Sequence, residues 1–518
     1  MSQSTVAIVG SGIAGVTVAY RLVNAGHDVE IFEKGPNYPY PHLPQFREQV
    51  LYQYTNPIYH LPTDLQQIVL SGNYPADPDE ERYLGLGGSA THWGAITPRI
   101  PPPDFKTHTL YGYGVDWPLS YDDLEPYYCD AEHLIGVSGS DANNPFAPRR
   151  SRPYPLPPFA LSYDDRVLAE RLQARGILLQ TIPQARTRLA YDDRPGCQNF
   201  GTCDVCPIGV RYSPTHHLIR AVRTGRCKVH LNASVRRVRV DERGRAQLIY
   251  QANDARTEQE HAAKIIIVAA GAIESARLLL LSSSDRHPDG LKLGDHVGRH
   301  LTFHHNWRGD LRYKENFFTG TTGAATAQTH QFIDPPGRGR YGGVRLEFDA
   351  RGVFPALPFS EHTPREVIEE LQVARRSRIL RFHAESLESA KKFVALSDTR
   401  DRFGDPFPQV HYESSAFDHG TYGLVQQIFD KFASATGPEH AVLGGVDDGY
   451  FSGYHHMGTC RMGTDARESV VDQFGRVHAH PNVFVIGSSN FPSPGTVPPT
   501  LTITALALRT ARYILDRL

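Results

Sequence analysis

Val6-Ala7-Ile8-Val9-Gly10-Ser11-Gly12-Ile13-Ala14-Gly15 decides the fold. Four apolar residues read as a buried strand, the glycine turn follows, and Val16 to Ala25 has the periodicity of a helix. Val29-Glu30-Ile31-Phe32 then reads as a second strand, so the segment is a βαβ unit. Gly10 permits the tight turn, Gly12 lets backbone approach a pyrophosphate, and Gly15 permits close packing of helix on strand. Ile13 and Ala14 open the helix, whose free N–H groups and dipole favour an anion. Glu33, with Lys34 after it, ends the second strand where a carboxylate can hold ribose hydroxyls and repel a 2′-phosphate. This unit alone does not separate FAD from NAD.

Outward from the unit, Pro36 to Asp79 is rich in Pro and Tyr and reads as an excursion or lid. A helix capped by Ser or Asp is expected within Asp116 to Leu134, and Pro145 to Pro158 interrupts the chain again. Short strands are expected at Val235 to Val240 and Ala246 to Gln251, then an apolar run from Ile265 to Ala270 that turns at Gly271 into a helix, Ile273 to Leu281. Residues 301 to 415 mix aromatic and alternating segments with Gly-rich turns and one charged helix near Pro364 to Leu371, which reads as a separate substrate domain. Val483 to Ile486 and Leu501 to Leu515 close the pattern as strand and helix.

At 518 residues the chain exceeds one ordinary core. Its 54 Lys plus Arg balance 56 Asp plus Glu, and no block of like charge suggests nucleic acid. The polar start and the short run Val6 to Val9 fit neither a signal peptide nor a membrane span, so a soluble, cytoplasmic protein without a membrane partner is expected. A homo-oligomer stays open.

Four distant segments separate the flavin from the nicotinamide reading. They are Leu86-Gly-Gly-Ser-Ala-Thr-His-Trp-Gly-Ala-Ile-Thr-Pro-Arg99, Ala269-Ala-Gly-Ala-Ile-Glu-Ser-Ala-Arg-Leu278, Gly453-Tyr-His-His-Met-Gly-Thr-Cys-Arg-Met-Gly463 and Gly495-Thr-Val-Pro-Pro-Thr-Leu-Thr502. In content and order the chain resembles the glucose-methanol-choline (GMC) FAD-dependent oxidoreductases, most closely the pyranose oxidases and the bacterial sugar and gluconate dehydrogenases. The resemblance implies an α/β fold: a discontinuous Rossmann-like FAD-binding domain from 1–100, 190–300 and 445–518, with the 36–79 excursion, and an α+β substrate domain from 101–189 and 301–444 whose antiparallel sheet roofs the flavin. It also implies FAD contacts at Gly87, Gly88, Ser89, His92, Trp93, Gly94 and Ala95, at Val235, at Ala270, Gly271 and Ser275, and at Gly487, Asn490, Pro499 and Thr500. Thr91-His92-Trp93 matches the pyranose-oxidase segment whose histidine carries FAD covalently. His92 is therefore either an attachment site or a ring packed beside the isoalloxazine.

The family's His-x-x-Gly-Thr motif aligns His455 with the histidine facing flavin N5. Oxidising an alcohol requires removal of the hydroxyl proton as hydride leaves carbon, which suits a neutral imidazole near pH 7. His455 is thus the expected base, with His456 as the neighbouring candidate. One position departs from the family: Pro498 stands where relatives have Asn or His, and proline offers no side-chain hydrogen bond. Either His456, His304, His305 or Asn490 supplies the second polar contact, or the chemistry is not simple alcohol oxidation.

Cys197, Cys203 and Cys206 resemble a segment of bacterial FAD sugar dehydrogenases, some of which bind an iron-sulfur cluster there. Three thiolates fall short of the usual four ligands, which favours buried thiols or a bridge, and no metal is expected. The leading expectation is an FAD enzyme that dehydrogenates a secondary hydroxyl of a sugar, glycoside or polyol, with oxygen or another electron acceptor reoxidising the flavin. A redox-neutral or carbon-carbon cleaving flavin enzyme, a lyase or decarboxylase, is the alternative that Pro498 keeps open.

Overall fold

The computed structural model describes residues 4–37, 60–74, 82–142, 144–199, 206, 208–317, 325–349, 363–445 and 455–518. Much of the 36–79 excursion, together with Cys203 and Tyr454, lies outside these residues.

A seven-stranded sheet grows from the opening βαβ unit. Strand β1 (Ser4–Val9) is flanked in parallel by β2 (Val29–Phe32) and by β8 (Gln259–Val268). β5 (Cys227–His230) pairs β2, and β16 (Val483–Val485) pairs β8, both in parallel. β6 (Ala233–Val240) and β7 (Ala246–Ala252) extend β8 as an antiparallel meander. Side chains along β1 alternate between two cores, because successive residues of a strand point to opposite faces. Val6 and Ile8 pack with α1 (Ile13–Asn24) and α6 (Thr500–Leu515), whereas Ala7 and Val9 join the core that holds α2 (Tyr121–Ile135). A parallel sheet covered on both faces is apolar throughout, and full burial of each Val or Ile contributes about 1.5–3 kcal/mol.

The second sheet has six antiparallel strands in the order β15-β9-β12-β11-β10-β4. These are β15 (His440–Leu443), β9 (His304–Arg312), β12 (Ser377–Glu385), β11 (Val344–Asp349), β10 (Ala325–Thr329) and β4 (Gln180–Thr181). One face carries Trp307, Leu346, Phe348, Leu380 and Phe382 against Val425, Phe429 and Phe432 of α5 (Ala416–Thr436). The opposite face carries Asn306, Glu347, Arg381 and His383. A three-stranded sheet joins the parts: β3 (Val69–Gly72) pairs β14 (Pro406–Tyr412), which pairs β13 (Lys392–Arg400). The seven-stranded sheet draws on strands within 4–32, 227–268 and 483–485, and the six-stranded sheet on strands within 180–181 and 304–443.

Predicted boundaries shift slightly. The first helix starts at Ile13 rather than Val16, since its opening residues turn towards the glycine loop, and α2 begins at Tyr121 behind a Ser120–Asp123 capping box. β8 starts six residues before the apolar run at Ile265, where Gln259-Glu260-His261 pair with β7 at the exposed end of the sheet.

Candidate active site

Between the two large sheets lies a cavity of about 670 Å³, within the usual range of cofactor and ligand sites. Gly10, Gly12, Ile13 and Ala14 line one end, and Gly12 caps α1 without any side-chain hydrogen bond, which leaves the N–H groups of the first turn open to a ligand. Gly15 lies beneath the turn. A β-carbon there would sit 2.3 Å from the Gly10 carbonyl oxygen, so its role is packing. Glu33 lines the cavity and ties the turn to the end of β2: one carboxylate oxygen accepts from the Ser11 N–H at 3.0 Å and the Ser11 hydroxyl at 2.7 Å, the other from the Gly35 N–H at 3.0 Å. Burial raises the Glu33 carboxyl against these bonds.

Two further helices begin at the same cavity. Ala270 and Gly271 open α4 (Gly271–Leu281), while Pro499 and Thr500 open α6. Burial pushes the Lys34 ammonium down to about 8 against the pull of Glu274. Glu274 is itself paired with Arg82 at 2.7 Å, and Arg277 with Asp401 at 2.7 Å.

Gly88, Ser89, His92, Trp93 and Gly94 line the middle of the cavity, and Val235 and Gly487 also reach it. Their loop is pinned from behind. Trp93 Nε1 donates to the Tyr212 carbonyl at 2.8 Å, and Arg211 donates to the carbonyls of Thr91 and Trp93. The His92 ring meets Tyr83 edge-on, with centroids 5.9 Å apart.

His455, His456 and Pro498 line the cavity together with the polar face of the six-stranded sheet. His455 is placed by an antiparallel bridge between Thr302 and Met457, with hydrogen bonds of 3.0 and 2.8 Å. Gly458 follows at φ 91°, where a β-carbon would lie 2.1 Å from the His300 carbonyl oxygen. Two residues out from the bridge on each chain, His304 and His455 meet Nδ1 to Nδ1 at 2.9 Å, and His304 Nε2 donates to the Gly495 carbonyl at 2.9 Å. Burial pushes His304 down to about 3 and holds it neutral. With its proton on Nε2, His304 Nδ1 can only accept, so His455 donates from Nδ1 and keeps a bare Nε2. Burial, and the neighbouring His304, His383, His456 and Arg345, hold the His455 imidazole well below its ordinary range. His456 bonds Tyr74 through Nε2 at 2.8 Å.

Five predicted contacts stand off the cavity wall. Gly15 packs as described, Gly87 donates its N–H to the Ser11 hydroxyl at 3.0 Å, and Ala95 is buried at φ 59°. The Ser275 hydroxyl accepts from the Ala270 N–H at 3.2 Å and so braces the turn into α4. Asn490, expected near the flavin and a candidate substrate contact, donates to the Val485 carbonyl at 2.7 Å beneath the 487–490 turn. His304 backs His455, and His305 bonds Asp418 at 2.8 Å on the side away from the cavity. The sequence reading missed Asn306, Glu347, Arg381 and His383. Their signal was period-two alternation of polar and apolar residues in His304 to Arg312, Val344 to Asp349 and Ser377 to Glu385.

Among the described residues one group, Asp192, His216 and His217, brings three ligand atoms within 4.8 Å, but Arg220 already pairs with the Asp192 carboxylate at 2.5 Å.

Comparison with known proteins gives three family models along the chain. A NAD(P)-binding Rossmann-like domain matches 8–39, and GMC oxidoreductase models match 112–306 and 389–507. The fructose dehydrogenase large subunit of Gluconobacter japonicus is 30% identical over 549 residues, covering 100% of this chain and 98% of the relative. The 2-methyl-1,2-propanediol dehydrogenase of Mycolicibacterium austroafricanum is 29% identical, covering 99% and 96%. Among solved structures, pyridoxine 4-oxidase from Mesorbium loti superposes with a TM-score of 0.69 at 17% identity over 100% of both chains.

Proposed function

Since the chain belongs to the GMC oxidoreductases, we propose that it holds FAD along the cavity and oxidises a secondary alcohol of a sugar, glycoside or polyol, with His455 as the base. One observation carries this reading: a single cavity joins a glycine turn at a helix N-terminus to a histidine whose tautomer is fixed. The residues present fit the cofactor. The open N–H groups of α1 suit a pyrophosphate, Glu33 suits ribose hydroxyls, and the pinned loop 88–94 offers His92 as a point of covalent attachment or a packing ring.

When bound, FAD supplies the acceptor for the hydride. The chain supplies the rest: His455 Nε2 takes the hydroxyl proton, and His304, itself fully buried, keeps that nitrogen bare and oriented. The activities in the names of the relatives, on fructose and on 2-methyl-1,2-propanediol, support an alcohol substrate, and oxygen or another acceptor would reoxidise the flavin.

Pro498 on the cavity wall favours a second reading, redox-neutral or carbon-carbon cleaving chemistry. Acid denaturation of purified protein tests the cofactor: yellow colour retained on a His92 peptide marks covalent FAD, released FAD marks a noncovalent site, and absence of flavin from folded protein overturns the reading. Anaerobic addition of D-fructose, 2-methyl-1,2-propanediol and other polyols tests the chemistry. Bleaching of the flavin supports alcohol oxidation, whereas turnover without bleaching supports the second reading.

A further inference from the structure

With FAD held as proposed and supplying the hydride acceptor, an alcohol that gives its proton to His455 Nε2 would become a carbonyl, with negative charge building on the oxygen in between. That oxygen needs a hydrogen-bond donor beside the base, because preorganised donors aimed at developing charge are worth more in a dry site than in water. Position 498 faces the cavity and, being proline, has no donor to offer. His456 is engaged with Tyr74, His304 with His455 and Gly495, His305 with Asp418, and Asn490 with Val485.

The polar face of the six-stranded sheet holds what the loop lacks. Asn306 on β9 and His383 on β12 are direct cross-strand partners, and both line the cavity. They are 5% and 6% exposed, so their polar atoms are cut off from bulk water. Among the described residues neither Asn306 Oδ1 nor either ring nitrogen of His383 has a hydrogen-bond partner, a costly state for buried polar atoms unless a ligand completes it. The His383 ring lies 6.2 Å from the His455 ring, centroid to centroid, which puts the pair beside the base.

The two side chains differ in what they can offer. Glu347 Oε2 lies 3.5 Å from His383 Nε2, and the Glu347 carboxyl, raised by burial but pulled down to about 2 by His383 and Arg345, is ionised at neutral pH. At 3.5 Å the carboxylate makes no hydrogen bond with His383, but its negative charge favours the ring proton on Nε2; Nδ1 is then an acceptor, the wrong partner for an oxygen gaining negative charge. An amide carries donors as well as an acceptor, and turning the Asn306 amide over presents Nδ2 at the position where Oδ1 stands without a partner. Charges around the pair are balanced: Arg345 holds Glu347 at 3.0 Å and Arg381 holds Asp349 at 2.8 Å. A neutral ligand fits such a wall better than a carboxylate or an amine.

We propose that Asn306 is the second catalytic residue, donating from its amide to the reacting oxygen in place of the side chain that Pro498 lacks, while His383 Nδ1 accepts from a neighbouring hydroxyl of a neutral vicinal diol or polyol. The assignment rests on the alcohol-oxidation reading above. It moves half of the oxygen clamp from the 495–500 loop to the sheet.

The test uses flavin-loaded full-length protein and the polyol that bleaches the wild type fastest. Asn306→Ala should lower the bleaching rate at saturating polyol about 10²-fold. Its KM should change less than about threefold, as for a contact made mainly in the transition state. Affinity for the carbonyl product, read as perturbation of the visible absorption, should fall about tenfold. His383→Ala should instead act chiefly on binding, raising the KM for the polyol by more than it lowers the saturated rate. Pro498→Asn added to Asn306→Ala should recover part of the rate. Should the alanine variant shed flavin, Asn306→Asp, of nearly the same shape but without the donor, carries the test. Wild-type rates in a flavin-loaded Asn306 variant, with the wild type itself bleaching, would overturn this assignment alone. Flavin that no polyol bleaches even in the wild type would overturn both the assignment and the alcohol reading.

Discussion

His304 Nδ1 stands 2.9 Å from His455 Nδ1, and only one of these two nitrogens carries a proton. The Gly495 carbonyl settles which one, because it engages the His304 proton on the far side of the ring. A backbone carbonyl at 495 thereby dictates where the lone pair of His455 sits.

Replacing His304 with Ala should lower kcat about 10- to 100-fold with flavin content unchanged, since proton transfer by a positioned base contributes about 10²–10⁴-fold and only its orientation is lost. In the native protein burial and His304 keep His455 unprotonated down to acid pH. Without His304, water enters and one repelling neighbour disappears, so the acid limb of kcat should move to higher pH. An unmoved limb together with an unchanged kcat would contradict the positioning role of His304.

Gly15→Ala places a methyl 2.3 Å from the Gly10 carbonyl oxygen. The helix must back away from β1, at about 1–3 kcal/mol for overpacking. The midpoint of denaturant unfolding should fall, and the flavin content of purified protein should fall with it.

Arg338 holds two carboxylates, Asp104 at 2.7 Å and Glu385 at 2.9 Å, all three essentially buried. Asp104 in turn accepts from the Thr496 N–H at 2.8 Å and the Thr496 hydroxyl at 2.9 Å. Arg338→Met should cost about 3–5 kcal/mol by stranding buried charge. Because Thr496 follows Gly495, kcat should fall as well. Equilibrium unfolding and steady-state rates on the soluble fraction check both effects.

Glu347 gives a pH signature. Its carboxyl lies below its usual value in the folded chain, so it contributes stability that is complete above pH 4.5 and is lost as pH falls towards about 2. The contribution is on the order of 3 kcal/mol at one pKa unit per about 1.4 kcal/mol. Stability of Glu347→Gln, followed by urea unfolding from pH 5 to 3, should depend less steeply on pH than that of the wild type.

The glycine turn, both strands of the opening unit and the helices at 271 and 500 were legible because local rules produce them: apolar runs, glycine at tight turns, and 3.6-residue periodicity. His455 was legible through its motif. Its partner His304 was only one of several named alternatives, since a bridge between Thr302 and Met457 brings the two together and no local pattern encodes a pairing across so much chain. Asn490 was expected near the flavin from the family resemblance, and its bond to the Val485 carbonyl was not legible, since a polar residue in a glycine-rich turn reads the same whether it faces a cavity or bonds its own backbone.

The cavity is walled by residues 10–14 at one stage of the chain and by 498–503 at another. At about 5–20 residues per second on the ribosome, these two walls are made roughly 25–100 s apart. Throughout that interval the glycine turn is exposed without its opposite wall, and the nascent chain has no complete cradle to close on a cofactor. On the proposed reading flavin capture is therefore a late event in biogenesis, and chains stalled before Thr500 should leave the ribosome colourless.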